Sequence, residues 1–333
     1  MKTHYSTKIF FMIALLTALL SCNSYTQDDK TPTMTKTFDM DQPGTLYTTS
    51  SGGRILIFSH DQNTVVVNVF ITKNGKLLPP GSPVIEDVLE GYDLEIEKNG
   101  SVVTAIADRR EFRAPWNNSG VYFTIIVPRE MSCHASSSGG GVKVSGVKGT
   151  HDIVSSGGGV KLENLFGNIK ARSSGGGVKA VNCNGDIHLT SSGGGVTLDK
   201  AQGNIFARSS GGGVYLNDIV GEVDAQSSGG GVKIEGEIGY VKAISSGGSV
   251  YVNTSNLNKE MDLESSGGGI KAVIQNGKNL GLDLDLSSGK VNIELNNFSG
   301  RAEKSHVSGT MNDGGIPVYM RASGGSIDVV FEE

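Results

Sequence analysis

The chain has 333 residues, among them 48 Gly and 8 Pro, with 29 basic against 34 acidic residues and a net charge of −5. That balance excludes a nucleic-acid binder, which needs a basic footprint to displace phosphate counterions. Eight Pro are too few for collagen, and the wealth of Val and Ile argues against disorder, so the Gly excess points to repeated tight turns.

Lys2 and Lys8 precede an apolar run over residues 9–20. The run is too short to span a bilayer and suits the core of an export signal. It ends in Leu19-Leu20-Ser21-Cys22, which resembles a bacterial lipobox. The resemblance implies removal of residues 1–21 and lipid modification of Cys22, with acyl groups such as palmitate. Without Lys2 and Lys8 the chain carries 27 basic against 34 acidic residues, or −7, so acyl chains would hold it on the membrane unaided by a polybasic patch. The expected location is the bacterial cell envelope, at the outer membrane, with the leaflet left open. Residues 22–36 are polar, rich in Thr and without alternation, and read as a tether. Within them Gln27-Asp28-Asp29 resembles a short acidic signal of surface-exposed lipoproteins, and a solvated linker explains it equally well.

Residues 37–136 read as an irregular β-rich cap. Alternating or apolar runs fall at 54–57, 65–71, 92–96, 102–106 and 121–127, and the region holds the only Trp, Trp116. From 137 to 288 the chain repeats. Ser-Ser-Gly begins at residues 137, 155, 173, 191, 209, 227, 245, 265 and 287, with intervals of 18 six times, then 20, then 22. Ser50-Ser51-Gly52-Gly53 and Ser323-Gly324-Gly325-Ser326 look like outlying copies. Each repeat holds two short alternating runs. Equivalent positions form apolar columns, such as Val142 through Val250 and Ile169, Ile187, Ile205, Val223 and Val241. A column of Gly149, Gly167, Gly185, Gly203, Gly221 and Gly239 marks a turn between the halves. The pattern predicts an all-β parallel β-solenoid with 18-residue coils, two strands per coil and successive coils about 4.8 Å apart. Residues 289–333 read as C-terminal β coils and a cap.

Taken together, Thr49-Ser50-Ser51-Gly52-Gly53-Arg54-Ile55, Phe123-Thr124-Ile125-Ile126-Val127-Pro128 and the Ser-Ser-Gly-Gly-Gly-Val repeats resemble a bacterial β-strand-repeat family of adhesin-type domains of unknown function. The resemblance covers residues 37–333. It implies a right-handed solenoid-like fold and export, and no established chemistry. The chain departs from the family's commoner Gly-Asp-Ile pattern, which only Gly185-Asp186-Ile187 keeps.

Candidate chemistry is thin. Calcium-binding nonapeptides need Asp where Gly157-Gly158-Gly159-Val160-Lys161-Leu162 places Leu162, so no metal site is expected. Asp283 and Asp285 share one strand face and are the best carboxylate pair for a glycan-cleaving enzyme, though a solvated outer face explains them better. Catalytic Ser should be singular, whereas here Ser recurs in turns; His151 falls in an inward column and His188 in an outward one. Cys133 and Cys183 lie 50 residues apart, between two and three coils, too far for a disulfide. The outward ladder Lys143, Lys161, Lys179, Thr197, Tyr215, Lys233, Tyr251 is either a salt-bridged solvent face, with Glu163, Asp199 and Glu235 beside it, or a strip for an anionic polymer or glycan. No catalytic residue and no cofactor is expected. The reading is a non-enzymatic envelope lipoprotein, an adhesin or binding scaffold presenting an elongated face to a glycan or protein. The alternatives are a periplasmic or envelope-stress scaffold and, third, a glycan-active enzyme.

Overall fold

The Gly-bounded alternating runs become strands, and each strand finds its partner one repeat away. A computed structural model describes residues 30–110 and 119–333. The export signal, Cys22 and Trp116 lie outside the described residues. Pro32–Glu333 form one compact unit, which is all-β. Its strands join in one large sheet system, with a single short helix, Ile85–Leu89, and one 3-10 turn, Gly277–Asn279, among the described residues.

In the repeat the pairing is parallel with an offset of 18 residues. Val160 faces Val178, Ile169 faces Ile187 and Ser173 faces Ser191, and the same offset carries Val178–Ser191 onto Val196–Ser209. The two expected short strands of a repeat run on as one 14-residue strand, for example Val160–Ser173. Four of the five long strands bend at a left-handed residue: Asn164, Asn182, Lys200 and Asp218 have φ of 54°, 53°, 58° and 56°. Asn and Asp tolerate that conformation because their short polar side chains bond locally; Lys does not. Three residues on, Gly167, Gly185, Gly203 and Gly221 take φ between 115° and 138°. A Cβ on Gly203 would strike the carbonyl oxygen of Gly185 in the preceding repeat.

The apolar columns face inward. Val142 through Val250, Ile153 through Ala243 and the bend residues Leu165, Cys183, Ala201 and Ile219 are all buried. The first Ser of every corner from Ser137 to Ser265 is buried too, which composition did not reveal. Its hydroxyl donates to a Gly carbonyl one repeat back: Ser173 to Gly158 at 2.8 Å, Ser191 to Gly176 at 2.9 Å, Ser227 to Gly212 at 2.9 Å. It also accepts from the Gly three residues ahead, as from Gly230 N to Ser227 at 3.0 Å.

Four features differ from the sequence reading. Strand Met34–Asp39 begins inside the polar stretch 22–36 and pairs with Thr64–Lys73, because Thr35 and Thr37 alternate with Met34, Lys36 and Phe38 against a β-branched partner. Next, Gly239 leaves its column: Gly221 faces Ile238, and Glu222 faces Tyr240. A first slip, between Leu216–Ile234 and Ile219–Gly236, removes one residue from the later strand, and the slip at Gly239 restores it. The two cancel, so the spacing of 18 hides them.

Both ends are interleaved. Gly44–Ser50 lies between Val102–Arg109 and Met131–Ser137, so Ser50 faces Ser137 and the cap contains a true copy of the repeat. At the other end, Leu282–Ser287 does not stack on Met261–Ser265. The later strand Ile316–Ala322 lies between them, pairing with both in parallel. Likewise Ile327–Glu332 lies between Ile270–Gln275 and Val291–Ile293. The corner at Ser287 is therefore not the successor of the one at Ser265, whose place is taken by Ala322 and Ser323.

Candidate binding faces

Alternation turns every second residue outward, so each half of the repeat carries its own outward rows. On the first half, the predicted ladder is continuous in space: Lys143, Lys161, Lys179, Thr197, Tyr215, Lys233 and Tyr251 face one another in that order, and Lys271 extends it. Its charges are largely matched. Glu163 receives both Lys143 and Lys161 at 2.7 Å, and Lys233 meets Glu235 at 2.8 Å. Partial burial pushes the Glu163 carboxyl up, but the two ammonium groups outweigh it and hold it below its ordinary value. The hydrogen bond to Glu235 raises the Lys233 ammonium, which also sits 5.6 Å over the Tyr251 ring. Asp199, expected to offset a Lys, instead accepts from Asn217 at 2.8 Å. Among the described residues Lys179 and Lys271 of these ladder lysines have no carboxylate within 4.0 Å. A salt-bridged solvent face thus describes this strip better than a polyanion track.

On the second half, the outward row runs Tyr47, His134, Asp152, Lys170, His188, Phe206, Asp224, Lys242, Asp262, Tyr319. Tyr47 stacks on His134 with centroids 4.7 Å apart and planes 11° from parallel. His188 and Phe206 lie 5.4 Å apart, and the Arg208 guanidinium sits 4.2 Å over Phe206. Beyond Phe206 the short Asp224 leaves a groove of about 190 Å³. It is lined by His188, Phe206 and Tyr240 and by the polar Asn204, Glu222 and Asp224, above the buried Ile205 and Val223. Lys242 is drawn away from it to Asp262 at 2.8 Å, and Glu222 is paired with Lys259. Sequence reading took His188 for an ordinary surface residue; the aromatic neighbour one repeat on, Phe206, was the signal available.

The other candidates are structural. The Asp283 carboxylate accepts from the Gly315 backbone at 3.0 Å and so fastens a turn, while Asp285 faces Ser308 and Tyr319. The His60 ring contacts the Thr64 carbonyl oxygen at 2.7 Å. His151 is fully buried between Cys133 and Ile169, with neither ring nitrogen in hydrogen-bond geometry with a partner. Burial drives its pKa down to about 4, against smaller opposing effects of the Val147 and Phe166 backbone. Cys133 and Cys183 are buried free thiols, raised by burial to about 12 and about 11. Among the described residues no three His, Cys, Asp or Glu side chains gather to hold a metal, and no helix is long and apolar enough to cross a membrane.

The chain matches no protein-family model and no curated protein. Among solved structures it is similar to a "putative adhesin" from Parabacteroides merdae, at 10% identity and a TM-score of 0.37, over 89% of this chain and 95% of that one. A "putative adhesin" from Bacteroides fragilis matches at 10% identity and 0.35, over 89% and 96%. A "putative lipid binding protein" from Parabacteroides distasonis matches at 14% identity and 0.33, over 89% and 96%. At these TM-scores the likeness decides neither fold nor function, and both rest on the chain itself.

Proposed function

We propose that this chain is a non-enzymatic binding scaffold of the bacterial cell envelope, an adhesin-type protein built as a parallel β-solenoid. The observation that carries the reading is the unbroken register of 18 from Val142 to Ser227, which lines up equivalent outward side chains along both faces. A face of this kind repeats one contact chemistry many times, and so suits multivalent, low-affinity engagement of a long partner. The candidate acids and nucleophiles speak for binding rather than turnover: Asp283 is committed to a backbone N–H, and the corner Ser hydroxyls are committed to Gly carbonyls. The lipobox resemblance supports an anchor at Cys22, acylated and held in the outer membrane.

Two measurements test this. Replacing Cys22 with Ala should move the full chain from the membrane to the soluble fraction of the producing cells. Protease treatment of intact cells should remove the protein from the surface. Full protection in intact cells, with digestion only after lysis, overturns the adhesin reading and leaves a periplasmic scaffold.

A further inference from the structure

The groove between Phe206 and Tyr240 lies where the repeat is broken twice. The first break is the extra residue at Gly239, a β-bulge after which Tyr240 faces Glu222 at the ordinary offset of 18. Bulges re-aim side chains and are enriched beside functional sites. The second is the widened interval between Ser245 and Ser265, 20 residues instead of 18. The inserted loop bonds onto the bulge, with the backbone N–H groups of Asn258 and Lys259 reaching the Gly239 carbonyl at 3.3 and 3.0 Å. The same loop supplies Lys259 to Glu222. Two departures from a strict repeat thus lie beside this depression, next to its lining residues Tyr240 and Glu222.

From this we infer that the groove is a carbohydrate subsite for one ring of a neutral glycan. The inference rests on the binding-scaffold reading and names its ligand class. At about 190 Å³ the groove is smaller than the ~300–1,000 Å³ of a drug-sized pocket and holds a single ring. The Phe206 and Tyr240 rings suit the C–H face of a sugar, while Asp224, Glu222 and the Asn204 carbonyl can accept from its hydroxyls. Charge disfavours a sulfate, phosphate or uronate. Lys242 is paired with Asp262 and Lys259 with Glu222, while the Arg208 guanidinium is engaged over the Phe206 ring at 4.2 Å. The Glu222 and Asp224 carboxylates repel such groups.

The test is affinity gel electrophoresis of the full chain in detergent, with dextran, mannan, xylan or a neutral β-glucan in the gel, and with heparin and chitosan as charged probes. Retention by at least one neutral polysaccharide is expected. Phe206→Ala and Tyr240→Ala should each weaken it at least tenfold, with unchanged thermal melts, while Lys179→Ala on the opposite row leaves it intact. No retention by any neutral polysaccharide, retention only by heparin or chitosan, or retention unaltered in both aromatic variants overturns the proposal. Cell adhesion that persists in Phe206→Ala would sink the groove and leave the scaffold standing. Full protease protection in intact cells would sink the adhesin reading and leave gel retention as the readout for the groove.

Discussion

Lys200 occupies the bend position that Asn164, Asn182 and Asp218 fill in neighbouring repeats, at φ 58°. A residue with an ordinary side chain pays about 1–2 kcal/mol for left-handed backbone, and Asn recovers much of it through local hydrogen bonding. Asn182 already donates to Asn164 at 2.7 Å across one repeat, so Asn at 200 would extend that ladder by one rung. An exposed amide bond adds at most about 0.5 kcal/mol. The Lys200 side chain is exposed and has no ion pair among the described residues, so little is lost. Lys200→Asn should therefore stabilise the full chain by about 1 kcal/mol, about fivefold in the opening equilibrium. Lys200→Ala, which keeps the strained backbone, should sit near wild type. The assay is urea unfolding, with hydrogen exchange to localise the gain to the strands on either side of residue 200. If Lys200→Asn is no more stable than Lys200→Ala, the bend does not carry the strain assigned to it.

Three further outcomes follow from the same geometry. Ser227→Ala removes one donated and one accepted bond at a buried corner and should cost about 2 kcal/mol in urea unfolding, whereas the adjacent exposed Ser228→Ala stays within about 0.5 kcal/mol; equal effects would mean the corner bonds contribute nothing. Gly203→Ala combines left-handed backbone with a collision against the Gly185 carbonyl and should cost more than about 2 kcal/mol, while Gly239→Ala, whose nearest neighbour is the side chain of Asn258, costs less than about 1 kcal/mol; comparable melts for the two would reinstate Gly239 in the column. The folded pKa of His151 is depressed from 6.5 to about 4, so the unfolded chain takes up the proton first and stability falls as pH drops from about 6.5 towards 4, by about 3 kcal/mol at ~1.4 kcal/mol per pH unit. His151→Leu should flatten melting temperature across that window, and an unchanged slope would place the titrating group elsewhere.

The repeat was legible because its signals are local and redundant. The spacing of Ser-Ser-Gly, the alternation and the apolar columns all require the same register, and Val160 facing Val178 follows from any one of them. What the sequence concealed was of two kinds. Compensating slips at Asp218 and Gly239 leave the interval at 18, so no count of residues reveals them. The interleaved ends depend on which strand reaches an open edge first in space, and order along the chain carries no trace of it: Ser265 and Ser287 are successive corners in sequence but are separated by the strand ending at Ala322. The outward ladder was read in the right order, yet its chemistry turned on rotamers. Glu163 was free to bind one Lys, two or none, and it binds two.

Interleaving has a mechanical meaning. A simple stack of repeats can be unravelled from either tip, one layer at a time, because the outermost layer has a single neighbour. Here the last strand in the chain is not an outermost layer. Pulling on Glu333 first peels Val330–Glu332 from Ile270–Gln275 and then meets Ile327–Val329, held between Ile270–Gln275 and Val291–Ile293. Pulling through the residues before Met34 first shears the antiparallel pair with Thr64–Lys73, and then meets Gly44–Ser50 locked between two layers. Load entering at either end thus starts on one row of hydrogen bonds and soon reaches strand that is held by two, at Val329 from one side and at Gly44–Ser50 from the other.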